Sequence, residues 1–163
     1  MLPVSERDIR SSFINCSIGD AKRLSVPADL DGLPWDDLDF LGWTDPSYPG
    51  RCYVVAEQGD RIVGVALRHE SGGRRPAQMC SICQTTHPNG GVHLMAASKT
   101  GDAGRRGNTV GIYMCADLGC SLYARRKKTP SGGRLYRDDS PLDGRIERVR
   151  SNLDAVIARV GAY

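Results

Sequence analysis

No run of about 18 apolar residues occurs in the chain, which excludes a transmembrane helix. A secretory signal is missing as well, because "MLPVSERDIRSSF" is charged by its sixth residue and has no apolar core. The expected location is therefore the cytoplasm, where thiols stay reduced. The sequence also lacks H-E-x-x-H, G-x-S-x-G and G-x-x-x-x-G-K-[ST], the common signatures of metalloproteases, serine hydrolases and phosphate-cradling loops. Zinc deaminases need His-x-Glu followed by Pro-Cys-x2-Cys. Here His69 and Glu70 are adjacent without a spacer, and Met79, not proline, precedes Cys80. No enzyme activity and no small-molecule substrate are expected on these grounds. Lysine is scarce, 4 residues against 18 arginines, which a GC-rich genome explains as readily as function does. The chain contains no internal repeat and no low-complexity segment.

What is present reads as globular. The chain has 163 residues, 40% hydrophobic and 25% charged, enough for one ordinary domain or two small ones. The net charge of +3 is unevenly spread. Residues 1–70 carry seven Lys/Arg against twelve Asp/Glu, and residues 71–163 carry fifteen against seven. An acidic first part and a basic second part imply either an anionic partner for the second or two parts that attract each other.

Local patterns set the expected elements. Ser5 and Asp8 form an N-terminal cap, and Ile9, Phe13 and Ile14 recur at helical spacing, so residues 5–24 read as one helix stopped by Pro27. Residues 27–50, with four prolines, six aspartates and both tryptophans, read as irregular. There Trp35, Phe40 and Trp43 are expected to cover an edge of the core. Residues 52–57 and 61–68 form a β-hairpin around "EQGD". "ESGGRRPAQ" is a loop, "GVHLMAAS" and "TVGIYMC" are strands, and "KTGDAGRRGN" is a flexible basic loop between them. "ADLGCSLYARRKK" starts as a helix and "TPSGGRLYRDDSPLDG" is an irregular link. Residues 142–160 form an amphipathic helix, with Leu142, Ile146, Val149, Leu153, Val156, Ile157 and Val160 on one face.

Four of the six cysteines fall into two pairs. Cys80 and Cys83 have C-x2-C spacing in a turn, and Cys115 and Cys120 have C-x4-C spacing where a strand runs into a helix. Four thiolates suit one tetrahedral, structural Zn2+, whereas the bland reading is four buried cysteines. A helix N-terminus favours a thiolate through its free N–H groups. The order of knuckle, hairpin and helix start is that of a treble clef. Cys16 and Cys52 are read as small buried hydrophobes. His87, before Pro88 and Asn89, supports the knuckle from outside the ligand shell, His93 is a surface or partly buried strand residue, and His69 has no assigned role.

The motifs "MCSIC" and "GIYMCADLGCSLY" resemble the C-terminal treble-clef zinc finger of the FBP family, the elongation factor G-binding proteins, to which FusB-type fusidic-acid-resistance proteins belong. The resemblance is strongest over residues 78–128 and extends loosely from residue 51 to the last helix. It implies that Cys80, Cys83, Cys115 and Cys120 ligate zinc, that the zinc-bearing domain docks on elongation factor G, and that it promotes release of the factor from the ribosome without catalysing a reaction. FusB-type proteins carry an extra N-terminal helical domain where this chain offers one helix and the Trp/Asp-rich stretch, so the resemblance reaches factor binding more directly than antibiotic resistance.

The residues expected to meet a partner are Tyr123, Arg125, Arg126, Lys127 and Lys128, continuing the helix at the second cysteine pair, and Lys99, Arg105 and Arg106 on the loop between the finger strands. Such groups suit an acidic protein surface, and equally ribosomal RNA. The bland reading of "ARRKK" is a favourable cationic helix end. The expected fold is a single α+β domain, a treble-clef zinc finger combined with a small, mostly antiparallel sheet and flanking helices. Residues 1–50 would supply the N-terminal helix and irregular segment, and residues 51–163 the hairpin, finger and C-terminal helix.

Overall fold

The computed structural model describes residues 1–70, 76–132 and 138–161. The chain begins with α1 (Glu6–Ser12), α2 (Ile18–Arg23) and a 3-10 turn (Trp35–Asp37). It continues through β1 (Phe40–Thr44), β2 (Arg51–Gln58), β3 (Arg61–Arg68), β4 (Gln78–Met79) and β5 (Thr86–His87). It ends with β6 (Val92–Ser98), α3 (Gly101–Arg105), β7 (Thr109–Cys115), α4 (Cys120–Ala124) and α5 (Leu142–Gly161). No helix among the described residues is long and apolar enough to cross a membrane. Parts of the "ESGGRRPAQ" loop and the "TPSGGRLYRDDSPLDG" link lie outside the described residues.

One five-stranded sheet, ordered β1-β2-β3-β6-β7 and antiparallel throughout, organises the molecule as a single α+β domain. Strand alternation gives the sheet two apolar faces. Val54, Val65, Met95 and Ile112 point to one face, where they form the main core with Val149, Leu153, Val156 and Val160 of α5. The 3–4 spacing read in residues 142–160 is thus the stripe that covers the sheet from Val149 onward, while Leu142, at the first position of α5, is exposed. Leu41 and Val55 point to the other face and pack under Val4, Ile9 and Trp35 of the N-terminal segment. The middle seam of the sheet is thin. Between β3 and β6 only Arg68 and Ala96 are in ladder register. There Asn15 bridges the strands, its side-chain amide donating to Ala66 O (2.9 Å) and Ser98 O (3.1 Å) while its oxygen accepts from Ala66 N (2.8 Å).

Four local expectations are corrected. Residues 5–24 are two helices. The Ser5–Asp8 capping box starts α1 as read, but Phe13 leaves helical geometry and Ile14 N donates to Gly64 O at 3.0 Å. Ser17 then caps α2 by accepting from Asp20 N at 3.0 Å. The chain lies so close to β3 that a Cβ at Gly64 would come within 2.5 Å of Ser12 Oγ. The Trp/Asp-rich stretch holds an edge strand, because Phe40 to Thr44 pair in register with Ala56 to Cys52. Its aromatics do pack as expected, with Trp35 and Phe40 buried and Trp43 5.2 Å from the Tyr53 ring. The 99–108 loop contains α3. Finally, the helix at the second cysteine pair stops at Ala124. Arg126 adopts φ 58°, and the N–H groups of Lys127 and Lys128 turn back to Leu122 O.

Candidate metal centre

The first thiol pair sits on a tight knuckle. Cys80 N donates to Thr85 O at 2.9 Å, Gln84 N donates to Cys80 O at 2.9 Å, and Gln84 takes a left-handed φ of 59°. The β4–β5 ladder closes this turn at its base. Ile82 N also points at Cys80 Sγ (3.4 Å), a donor suited to a thiolate. The second pair brackets the strand-to-helix junction. Cys115 ends β7, and Cys120 opens α4 after Leu118, whose left-handed φ of 56° turns the chain. Asp117 fixes that turn. One of its oxygens accepts from Gly119 N (3.0 Å), and the other accepts from Tyr123 Oη (2.8 Å) and Lys128 Nζ (2.7 Å).

These local structures bring four sulfurs, all within 4.8 Å of one another, into one buried cluster. Cys80 and Cys120 Sγ lie 3.6 Å apart, and so do Cys83 and Cys115 Sγ. A zinc ion bound at about 2.3 Å to four sulfurs spaces them about 3.8 Å apart, so the cluster has the size of one closed Zn2+ site. The donor chemistry agrees. Hydrogen bonds from Cys115, Cys120 and Cys80 hold the Cys83 thiol far below its ordinary value, while contact with Cys115, Cys80 and Cys83 pushes Cys120 well above its own. Four thiolates this close repel one another, and a dication is what makes them tenable together. Cys80, Cys83, Cys115 and Cys120 are the residues that would hold it, and the ion would supply rigidity.

His87 lies just outside this shell. It is buried, its Nε2 is 3.3 Å from Cys115 Sγ, and its ring stands edge-on to Tyr123 with centroids 4.6 Å apart. Burial holds its pKa below the ordinary histidine value, which keeps the ring neutral and able to donate to the sulfur. Of the remaining cysteines, Cys52 is buried beside Met95, with burial pushing its thiol up to about 12, and Cys16 is half-buried in the linker between α1 and α2.

The residues expected to meet a partner do not form one patch. Tyr123 is buried, with its hydroxyl donating to Asp117. Arg125 turns inward to Asp39, a carboxylate with 1% exposure that also accepts from Arg150 Nε (2.9 Å). The Asp39 backbone N–H donates to Ser121 Oγ at 3.0 Å, so β1 is fastened to α4 one residue after a zinc ligand. Sequence reading missed Asp39 and Asp117: Asp39 is one of six aspartates in residues 27–50, and Asp117 lies between two cysteines that drew the attention. Arg126, Lys127 and Lys128 remain on the surface, reaching Asp138 O, Asp37 and Asp117 respectively. Lys99, Arg105 and Arg106 lie at the other end of the β6–β7 hairpin. Ser98 pairs with Thr109 there, while Val92 pairs with Cys115 at the metal end. Six strand residues at roughly 3.3 Å each put that loop about 20 Å from the thiols.

A knuckle, a β-hairpin and a helix start that converge on four buried thiols define a treble-clef zinc-binding domain. The chain belongs to the FBP C-terminal treble-clef zinc-finger family, whose family model matches residues 8–160. Neither the curated proteins nor the solved structures compared with it contain a match.

Proposed function

We propose that the protein is a non-catalytic, cytoplasmic binding protein that docks on elongation factor G at or near the ribosome and promotes its release. The observation that carries this reading is the closed set of four buried thiols at the base of α4. Such a shell leaves zinc no open position for a substrate or an attacking water, so the metal serves as a rigid base for a recognition surface. Arg126 and Lys127 provide that surface with charge next to the metal site, and cationic groups on a rigid base steer encounter with an acidic protein face.

Pull-down of purified elongation factor G by the zinc-loaded protein tests the reading. An Arg126→Glu/Lys127→Glu variant that keeps its zinc should capture at least tenfold less factor. Negligible capture by the unaltered protein, or equal capture by both, would overturn the reading. Arg125 is left unchanged because its ion pair with Asp39 is structural. A second reading, binding to ribosomal RNA, draws on the exposed Arg105 and Arg106. It requires affinity for RNA alone that falls steeply between 50 and 200 mM salt, as about 10³-fold or more does for six or more phosphate contacts.

A further inference from the structure

The N-terminal segment covers the sheet face opposite α5 and stops short of β6. At that border a cavity of about 170 Å3 opens between the Asn15–Leu24 segment and the strands. It is roughly ten times the space that one water needs. Arg51 and Arg68 both line it, and they are direct cross-strand partners on β2 and β3. They share a face with the neighbouring pair Tyr53 and Ala66, which also line the cavity. Like charges set directly opposite each other are destabilising, yet neither guanidinium has a hydrogen bond or ion pair with a described residue. Arg51 is only stacked on the Tyr48 ring, 4.6 Å from its centroid.

The carboxylates nearby are already engaged. Asp45 accepts from Ser47 N (2.8 Å), Tyr48 N (3.2 Å) and Tyr53 Oη (2.8 Å). Burial pushes Asp45 up, but these donors, together with the Arg51 charge, outweigh it and hold the group below the usual carboxylate range. Asp20 is bound to Ser17 Oγ (2.6 Å) and Arg23 (2.9 Å). The cavity therefore presents two cations, Arg51 half-buried and Arg68 exposed, that no carboxylate among the described residues pairs with.

We propose that this cavity binds a phosphate group, free or carried as a monoester on a small molecule, between the guanidiniums of Arg51 and Arg68. Guanidinium forks match phosphate oxygens two at a time, and a dianion between them turns a repulsive pair into an attractive one. Ser98, also on the cavity wall, adds a hydroxyl donor. A nucleic-acid strand is disfavoured, because its next phosphates would meet the walls carrying Asp20 and Asp45.

Calorimetry and thermal unfolding of the intact, zinc-loaded protein test the site, with inorganic phosphate, glycerol 3-phosphate, acetate and a single-stranded oligonucleotide as probes. Saturable binding of phosphate or glycerol 3-phosphate is expected, weakened at least tenfold in Arg51→Gln and Arg68→Gln. Tighter binding of glycerol 3-phosphate than of phosphate identifies a monoester as the source, and the reverse identifies the free ion. Without phosphate, Arg68→Gln should unfold at the same temperature as the unaltered protein or higher, since the substitution removes a repulsion. Three results would overturn the proposal. These are an equal rise of the unfolding temperature with phosphate in the unaltered protein and Arg68→Gln, earlier unfolding of Arg68→Gln in phosphate-free buffer, and arginine-dependent binding of the oligonucleotide alone.

Discussion

Replacing Asp39 with alanine should destabilise the protein more than any single surface change. Its carboxylate is almost fully enclosed (1% exposed), and Arg125, whose side chain is 9% exposed, meets it with both terminal nitrogens. Removing one member of a buried pair strands the other charge, which costs about 3–5 kcal/mol. Arg150 is 54% exposed and bonds through Nε alone, so Arg150→Ala should cost about 1 kcal/mol or less. Removing both buried charges at once, in Asp39→Leu/Arg125→Met, should recover much of the loss because no charge is left alone. Urea unfolding of the zinc-loaded proteins, followed by far-UV circular dichroism, measures these three variants and the single Arg125→Met. A domain of this size has a total stability of about 5–15 kcal/mol, so the midpoint for Asp39→Ala should fall by about a fifth or more. The reasoning is refuted if Asp39→Ala costs less than about 1 kcal/mol, or if the double variant loses the sum of the two single losses. The result also bears on binding assays, because a charge reversal at Arg125 would report on folding and not on recognition.

Purified protein should contain one zinc per chain by elemental analysis. Cys80→Ser or a strong chelator should remove the metal and unfold the finger, since structural zinc contributes on the order of 10 kcal/mol to folding. Cys52 gives a pH signature. Its thiol is pushed up to about 12 from 9.0 by burial, so above about pH 9 the unfolded chain releases a proton that the folded chain keeps, and stability falls as pH rises towards 12. The slope from this one group is about 1.4 kcal/mol per pH unit, and urea midpoints of Cys52→Ala should decline less steeply from pH 9 to 11. At Gly42, a Cβ would stand 2.6 Å from Leu118 Cβ, on the turn between Cys115 and Cys120. Gly42→Ala should cost about 1–3 kcal/mol by overpacking, and an unchanged melting temperature would contradict that close approach.

The metal site was legible because its information is local. C-x2-C in a turn and C-x4-C before a helix declare themselves over a few residues, as do the two hairpins and the α5 stripe. The helix break at Phe13 was not legible, because Ile9, Phe13 and Ile14 keep helical spacing and the competing partner, Gly64 O, lies fifty residues away. Strand β1 was concealed by the prolines and aspartates around it; its pairing with β2 supplies what its composition withholds. Arg125 is the sharpest case. "ARRKK" reads as a uniform cationic run, yet one member is drawn inside by a carboxylate 86 positions earlier. Local pattern identifies which residues are charged, and only the fold decides which of them solvent sees.

The thin seam beside Asn15 has a consequence for integrity. With a single ladder pair joining β3 to β6, the zinc-bearing ribbon and the N-terminal ribbon are basted together by side chains more than woven by backbone. Asn15→Ala would therefore act like pulling a thread: amide exchange should quicken first at Ala66 and along the inner margin of β6, while the metal end of the hairpin stays shut.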